Sequence, residues 1–119
     1  MQKTAHPTSQ VHAMKNKPAT GIELALAPRD LALVRRLLNQ HAPHHRAFAF
    51  GSRVIASPAD RSRLKPHSDL DLALEGPHLK PQQSFALREA FSESDLPMRV
   101  DIVDAADLPA KWDIRVWPL

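Results

Sequence analysis

Residues 47–76 read "AFAFGSRVIASPADRSRLKPHSDLDLALEG". Four apolar residues run into Gly51-Ser52, and after a basic, proline-bearing stretch two aspartates, Asp69 and Asp71, sit inside a run of leucines. The alternation in 69–75 predicts a strand with Leu70, Leu72 and Leu74 on one face and Asp69, Asp71 and Ala73 on the other. Side chains two apart on one strand face stand about 6.6 Å from each other. Two carboxylates at that spacing repel, so a positive group belongs between them.

Working outward, "RAFAF" at 46–50 reads as a short strand buried on both faces and ended by Gly51. "MRVDIVD" at 98–104 reads as another, with Val100 and Ile102 on one face and Asp101 and Val103 on the other. "APRDLALVRRLLNQHAP" predicts an amphipathic helix over Arg29–His41, with Pro28 in its first turn and Pro43 beyond its end. Its Leu31, Leu33, Val34, Leu37 and Leu38 fall within an arc of about 160°. "PQQSFALREAFSESD" predicts a second helix starting at Pro81, with Ala86, Leu87, Ala90 and Phe91 as its apolar stripe. A closing helix is expected near Asp107, capped by that residue, with Pro109 in its first turn. Helices alternate with strands, which favours a small layered α/β or α+β fold.

The totals narrow the class. At 119 residues with 43% apolar content the chain suits a single domain. There is no cysteine, which excludes disulfides and thiolate metal sites. No apolar run approaches the roughly 20 residues that span a bilayer, and the amino terminus lacks an apolar signal core, so the expected location is cytoplasmic. The net charge of +3 hides an asymmetry. Residues 1–67 carry 11 Lys/Arg against 3 Asp/Glu, whereas 68–119 carry 5 against 10. Residues 1–20, polar, basic and without period, read as a flexible basic tail.

The carboxylates carry the chemistry. If the strand at 98–104 lies beside that at 69–75, Asp101 joins Asp69 and Asp71 on one face. Three such oxygens suit Mg²⁺, which takes carboxylate, phosphate and water ligands. Two ions about 3.5–4 Å apart clamp the attacking and leaving oxygens of a phosphoryl displacement. Gly51 lets a phosphate approach the backbone, and the N–H groups after it can cradle anionic oxygens. Ser52 adds a hydroxyl donor and Arg53 a positive charge. His41, His44 and His45 follow a helix end and are interrupted by proline, so solvated side chains fit them better than zinc ligation. His67, beside Ser68, has the better claim to touch a substrate. Trp112 and Trp117 read as packing residues. Aromatic content of 5% without tyrosine argues against a platform for single-stranded nucleic acid.

Gly51-Ser52-Arg53, Ser68-Asp69-Leu70-Asp71-Leu72 and Arg99-Val100-Asp101 together resemble the minimal nucleotidyltransferases of the DNA polymerase beta superfamily, from about residue 29 to Asp107. The resemblance implies an α+β nucleotidyltransferase fold over residues 21–119, a small mixed sheet of three or more strands flanked by helices. It implies transfer of a nucleoside monophosphate from an NTP, with ATP expected, to a hydroxyl, using two Mg²⁺ ions. Gly51, Ser52, Arg53 and Ser68 would bind the nucleotide; Asp69, Asp71 and Asp101 would be catalytic and hold the metals. Small members of this kind are often antitoxins of HEPN-domain ribonuclease toxins, some acting by adenylylating a toxin tyrosine, so a HEPN toxin partner and a homo- or hetero-oligomer are expected. Two features depart from the pattern. Ala56 stands where another glycine is usual, and the segment "VIASPADRSRLKPH" is longer than the usual spacer, read here as a harmless insertion. The competing readings are a binding subunit that neutralises a partner by contact, and a small-molecule nucleotidyltransferase, for which the chain offers no second domain.

Overall fold

The computed structural model describes residues 21–108 and 116–119. The amino-terminal 1–20, the closing helix expected around Pro109 and Trp112 lie outside the described residues. In order, the elements are β1 (Glu23–Leu24), α1 (Pro28–His41), β2 (Arg46–Phe50), a 3₁₀ turn (Gly51–Arg53), β3 (Val54–Ile55), α2 (Pro58–Arg63), β4 (Leu70–Glu75), α3 (Pro81–Ser92), β5 (Val100–Asp104), a second 3₁₀ turn (Ala105–Asp107) and β6 (Trp117–Pro118).

Four strands form one sheet in the order β5-β4-β2-β6, and β1 pairs with β3 in a separate ribbon. Strand β4 runs antiparallel to β2 and parallel to β5, so the sheet is mixed, and helices cover it. The fold is therefore α+β, as expected. The parallel step from β4 to β5 is bridged by α3, the crossover that such a connection requires.

The leucine face of β4 makes the core. Leu70, Leu72 and Leu74 are fully buried, beside Ala49 on β2 and Ile102 on β5. Val34, Leu37 and Leu38 of α1 and Leu87 and Phe91 of α3 close over them. Helix α1 matches its predicted stripe, although Leu31 and Leu33 are only half-buried. Strand β2 is less enclosed than expected: Phe48 and Ala49 are buried, but Arg46 is exposed. In α3 the stripe is centred on Leu87 and Phe91, and Ala86, expected inside, is exposed. The i,i+4 pair of bulky side chains sets the helix rotation and turns the smaller Ala86 outward.

The inserted segment is folded. Val54 and Ile55 form β3 against β1, and α2 follows with Ser57 as its N-cap, its Oγ accepting from the Asp60 N–H at 3.2 Å. Arg61 reaches Glu23 on β1 at 2.6 Å. Chain end and sheet also meet: Trp117 and Pro118 pair with Ala49 and Phe48, and Trp117 packs against the core with Arg35 above its ring. No described helix is long and apolar enough to cross a membrane.

Leu87 is fully buried within the apolar core. Leu87→Ala is expected to lower unfolding stability by about 2–5 kcal/mol, read as a fall in the urea midpoint with an unchanged slope.

Candidate active site

The site is built at one end of three adjacent strands. The chain leaves β2 at Phe50, which pairs with Asp71, and turns sharply at Gly51. Across β4, Asp71 is in parallel register with Asp101 of β5. The order glycine turn, Asp71, Asp101 thus runs straight across the sheet, with neighbouring strands about 4.8 Å apart. Asp69 lies one residue before β4, where the Leu70 N–H donates to the Arg99 carbonyl at 2.8 Å.

Gly51 is fixed by two requirements. Its φ is +80°, a left-handed conformation that a side chain disfavours. A Cβ there would also overlap Asp71 Oδ2 and come within 3.1 Å of Asp71 Cγ. Glycine therefore lets the Asp71 carboxylate lie directly on the turn. Gly51 and Ser52 themselves are exposed.

Electrostatics confirm the crowding. Burial, then Asp101, then Asp69 push the Asp71 carboxyl above its usual range. A positive group does sit between the outer two: Arg99 Nη2 lies 3.7 Å from Asp69 Oδ2 and 3.5 Å from Asp101 Oδ1. Arg99 stands in the Arg99-Val100-Asp101 motif, and its bridging of the two carboxylates goes beyond the role the motif implies. The signal was present, since residues 99 and 101 share a strand face and the β4–β5 register sets 99 beside 69.

Arg53, expected to face the nucleotide, is placed otherwise. It is buried, and its guanidinium donates to the carbonyls of Ala25, Pro66 and Ser68 at 2.7, 3.0 and 2.8 Å. Burial lowers its pKa, opposed by Asp30 and Asp69; the group stays charged throughout the physiological range. Ser68 is half-buried, its Oγ accepting from the Lys65 N–H at 3.2 Å. His67 is exposed next to it. Ala56, at the glycine position of the family pattern, donates its N–H to Asp60 Oδ2 at 3.0 Å. His45 is half-buried rather than solvated, with Nε2 2.6 Å from the Pro77 carbonyl.

The donor set, all carboxylate oxygen, matches a hard cation such as Mg²⁺. Among the described residues, however, no three His, Asp or Glu side chains are gathered closely enough to form a metal cage. Two of the three carboxylates reach Arg99 instead.

No family profile matches the chain. Over 87 residues it is 42% identical to "Probable protein adenylyltransferase MntA" of Haemophilus influenzae, a span that covers 71% of this chain and 69% of that protein. The chain belongs to the minimal nucleotidyltransferase family. Membership agrees with the architecture, a mixed sheet flanked by helices. It also assigns the chain a nucleotide as substrate.

Two outcomes follow from the geometry. Gly51→Ala forces both a disfavoured φ and displacement of Asp71, and is expected to destabilise the protein by about 1–2 kcal/mol in thermal or urea unfolding. For Asp71 the native pKa exceeds the unfolded one, so the native state binds more protons and stability falls as pH rises through the interval between them. In EDTA at neutral pH, Asp71→Asn should therefore raise the melting temperature. That gain should vanish below about pH 4, where the unfolded carboxyl is protonated as well.

Proposed function

We propose that this protein is a Mg²⁺-dependent adenylyltransferase that moves AMP from ATP to a hydroxyl on a partner protein. The observation that supports it best is the run of Gly51, Asp71 and Asp101 across three neighbouring strands. The relative's name supplies the adenylyl group and the protein acceptor.

In this reading the exposed turn at Gly51 and Ser52 receives the triphosphate through backbone N–H groups and the Ser52 hydroxyl, with Ser68 lining the same side. Asp69, Asp71 and Asp101 hold the cations, exchanging the Arg99 contacts of Asp69 and Asp101 for cation contacts. Mg²⁺ held by these carboxylates would supply charge neutralisation for the phosphate and lower the pKa of the acceptor hydroxyl. Asp101 takes the hydroxyl proton. The acceptor oxygen bonds to the α-phosphorus as the bond to the β-phosphate oxygen breaks, and pyrophosphate leaves. Positioning and charge stabilisation supply most of the rate.

The acceptor we propose is a tyrosine of a HEPN-domain toxin, with this chain as its antitoxin. The support is the family membership together with carboxylates that lie open to a macromolecule. Asp69 and Asp101 side chains are 41% and 47% exposed, so an incoming hydroxyl needs no further domain to reach them.

The test uses the protein, Mg²⁺ and the product of the neighbouring reading frame with ATP labelled at either the α- or the γ-phosphate. Label should reach the partner from the α-position only, and Asp69→Asn with Asp71→Asn should abolish it. Transfer of γ-label would make the protein a kinase. Full toxin neutralisation by an Asp101→Asn variant that transfers nothing would make it a contact inhibitor.

A further inference from the structure

The turn that carries Gly51 and Ser52 and the loop that delivers Asp69 are separate pieces of chain. The β2–β4 ladder ends where Phe50 meets Asp71, so it holds neither Ser52 nor Asp69. Their spacing must be set by something else.

Arg53 spans that gap. It follows Ser52 directly, its side chain is directed inward, and only 6% of the residue is exposed. Its Nε donates to the Ser68 carbonyl, the group adjoining Asp69, and its Nη2 donates to the Pro66 carbonyl. The remaining arm, Nη1, donates to the Ala25 carbonyl, while the Arg53 carbonyl accepts from the Ala25 N–H at 2.7 Å. One planar guanidinium therefore ties the glycine turn to the 66–68 loop and anchors both to the strand-like edge at 25.

We infer that Arg53 is a positioning residue that locks the Ser68-Asp69 backbone to the Gly51-Ser52 turn, fixing the distance between the cation-binding carboxylate and the phosphate-binding turn. This rests on the function proposed above. A lysine also has three donors, but they radiate from one nitrogen at the end of a flexible stem, whereas Arg53 reaches the three carbonyls from three separate nitrogens of one rigid fork.

The consequence is kinetic. The turn can still meet phosphates with its own N–H groups when Arg53 is changed, but Asp69 then loses its fixed place. A misplacement of about 1 Å costs on the order of 10²-fold in rate.

The test compares the full-length protein with Arg53→Lys and Arg53→Met by amide hydrogen exchange and by steady-state kinetics. Amides of residues 67–70 and 24–26 should exchange at least about tenfold faster in both variants, with those of Leu72, Leu74 and Ile102 unchanged. For nucleotide transfer, kcat should fall about 10–100-fold and KM for ATP should stay within about threefold. Unchanged exchange at 67–70 overturns the proposal. So does a raised KM with kcat retained, which would put Arg53 on the nucleotide. Uniformly faster exchange throughout the sheet, with activity restored on cooling, would reduce Arg53 to a general brace and overturns it too. If the unmodified protein transfers no nucleotide, the functional reading fails, while the exchange result still judges the lock.

Discussion

The parallel register of β4 on β5 puts Asp71 opposite Asp101, with Asp69 two residues upstream, and the rest of the site answers the repulsion this creates. Strands about 4.8 Å apart cannot move like charges away from each other without breaking their ladder. Three answers are visible. Arg99 reaches the two outer carboxylates, the central Asp71 is pushed toward its protonated form, and the outer two side chains stay partly exposed to solvent. The alternation that buries Leu70, Leu72 and Leu74 is what holds the acidic face in place. A one-residue slip would put the carboxylates into the core, at a cost of several kcal/mol for each unpaired charge. The hydrophobic face thus enforces the functional one.

The glycine turn depends on the same register. Gly51 has no Cβ, and a Cβ there would strike the Asp71 carboxylate. The carboxylate and the turn are therefore packed as one unit. This couples fold and chemistry closely. A residue larger than glycine disturbs the acid directly rather than merely blocking an approach.

Much of this was legible from the residues, because period-2 and period-3.6 patterns report burial directly. The faces of 69–75 and 98–104, the limits of α1 and the presence of Asp101 on the same face as Asp69 and Asp71 follow from alternation plus the assumption that the two strands adjoin; the register that sets Asp101 opposite Asp71 comes from the structure. Side-chain direction was not legible at Arg53. A cation after Gly-Ser looks like a phosphate contact, and only the tertiary arrangement of the 66–68 carbonyls draws it inward. Nor was the folding of residues 54–63, where a proline-bearing, charged segment hides a two-residue strand and a capped helix too short to show a period. The contribution of Trp117 and Pro118 to the sheet escaped for a similar reason, since two residues carry no alternation. The Arg99 bridge was within reach. It needed only the register argument to be carried two residues further back.

The departure at Ala56 takes on meaning from what its backbone does. An N–H at that position, if free, would extend the anion cradle beyond Ser52. Here it is consumed by Asp60 Oδ2, whose carboxylate also receives Arg63 through Oδ1 at 3.1 Å. A carboxylate at this place offers a phosphate repulsion rather than a donor. In the proposed function, the inserted helix α2 would therefore close one side of the cradle, and Gly51, Ser52 and the proposed cations would be left to hold the triphosphate. With fewer backbone donors, a larger share of the phosphate charge would fall to the ions proposed at Asp69, Asp71 and Asp101. Nucleotide binding in this chain should accordingly depend more steeply on divalent cation than in a relative whose turn keeps its second glycine.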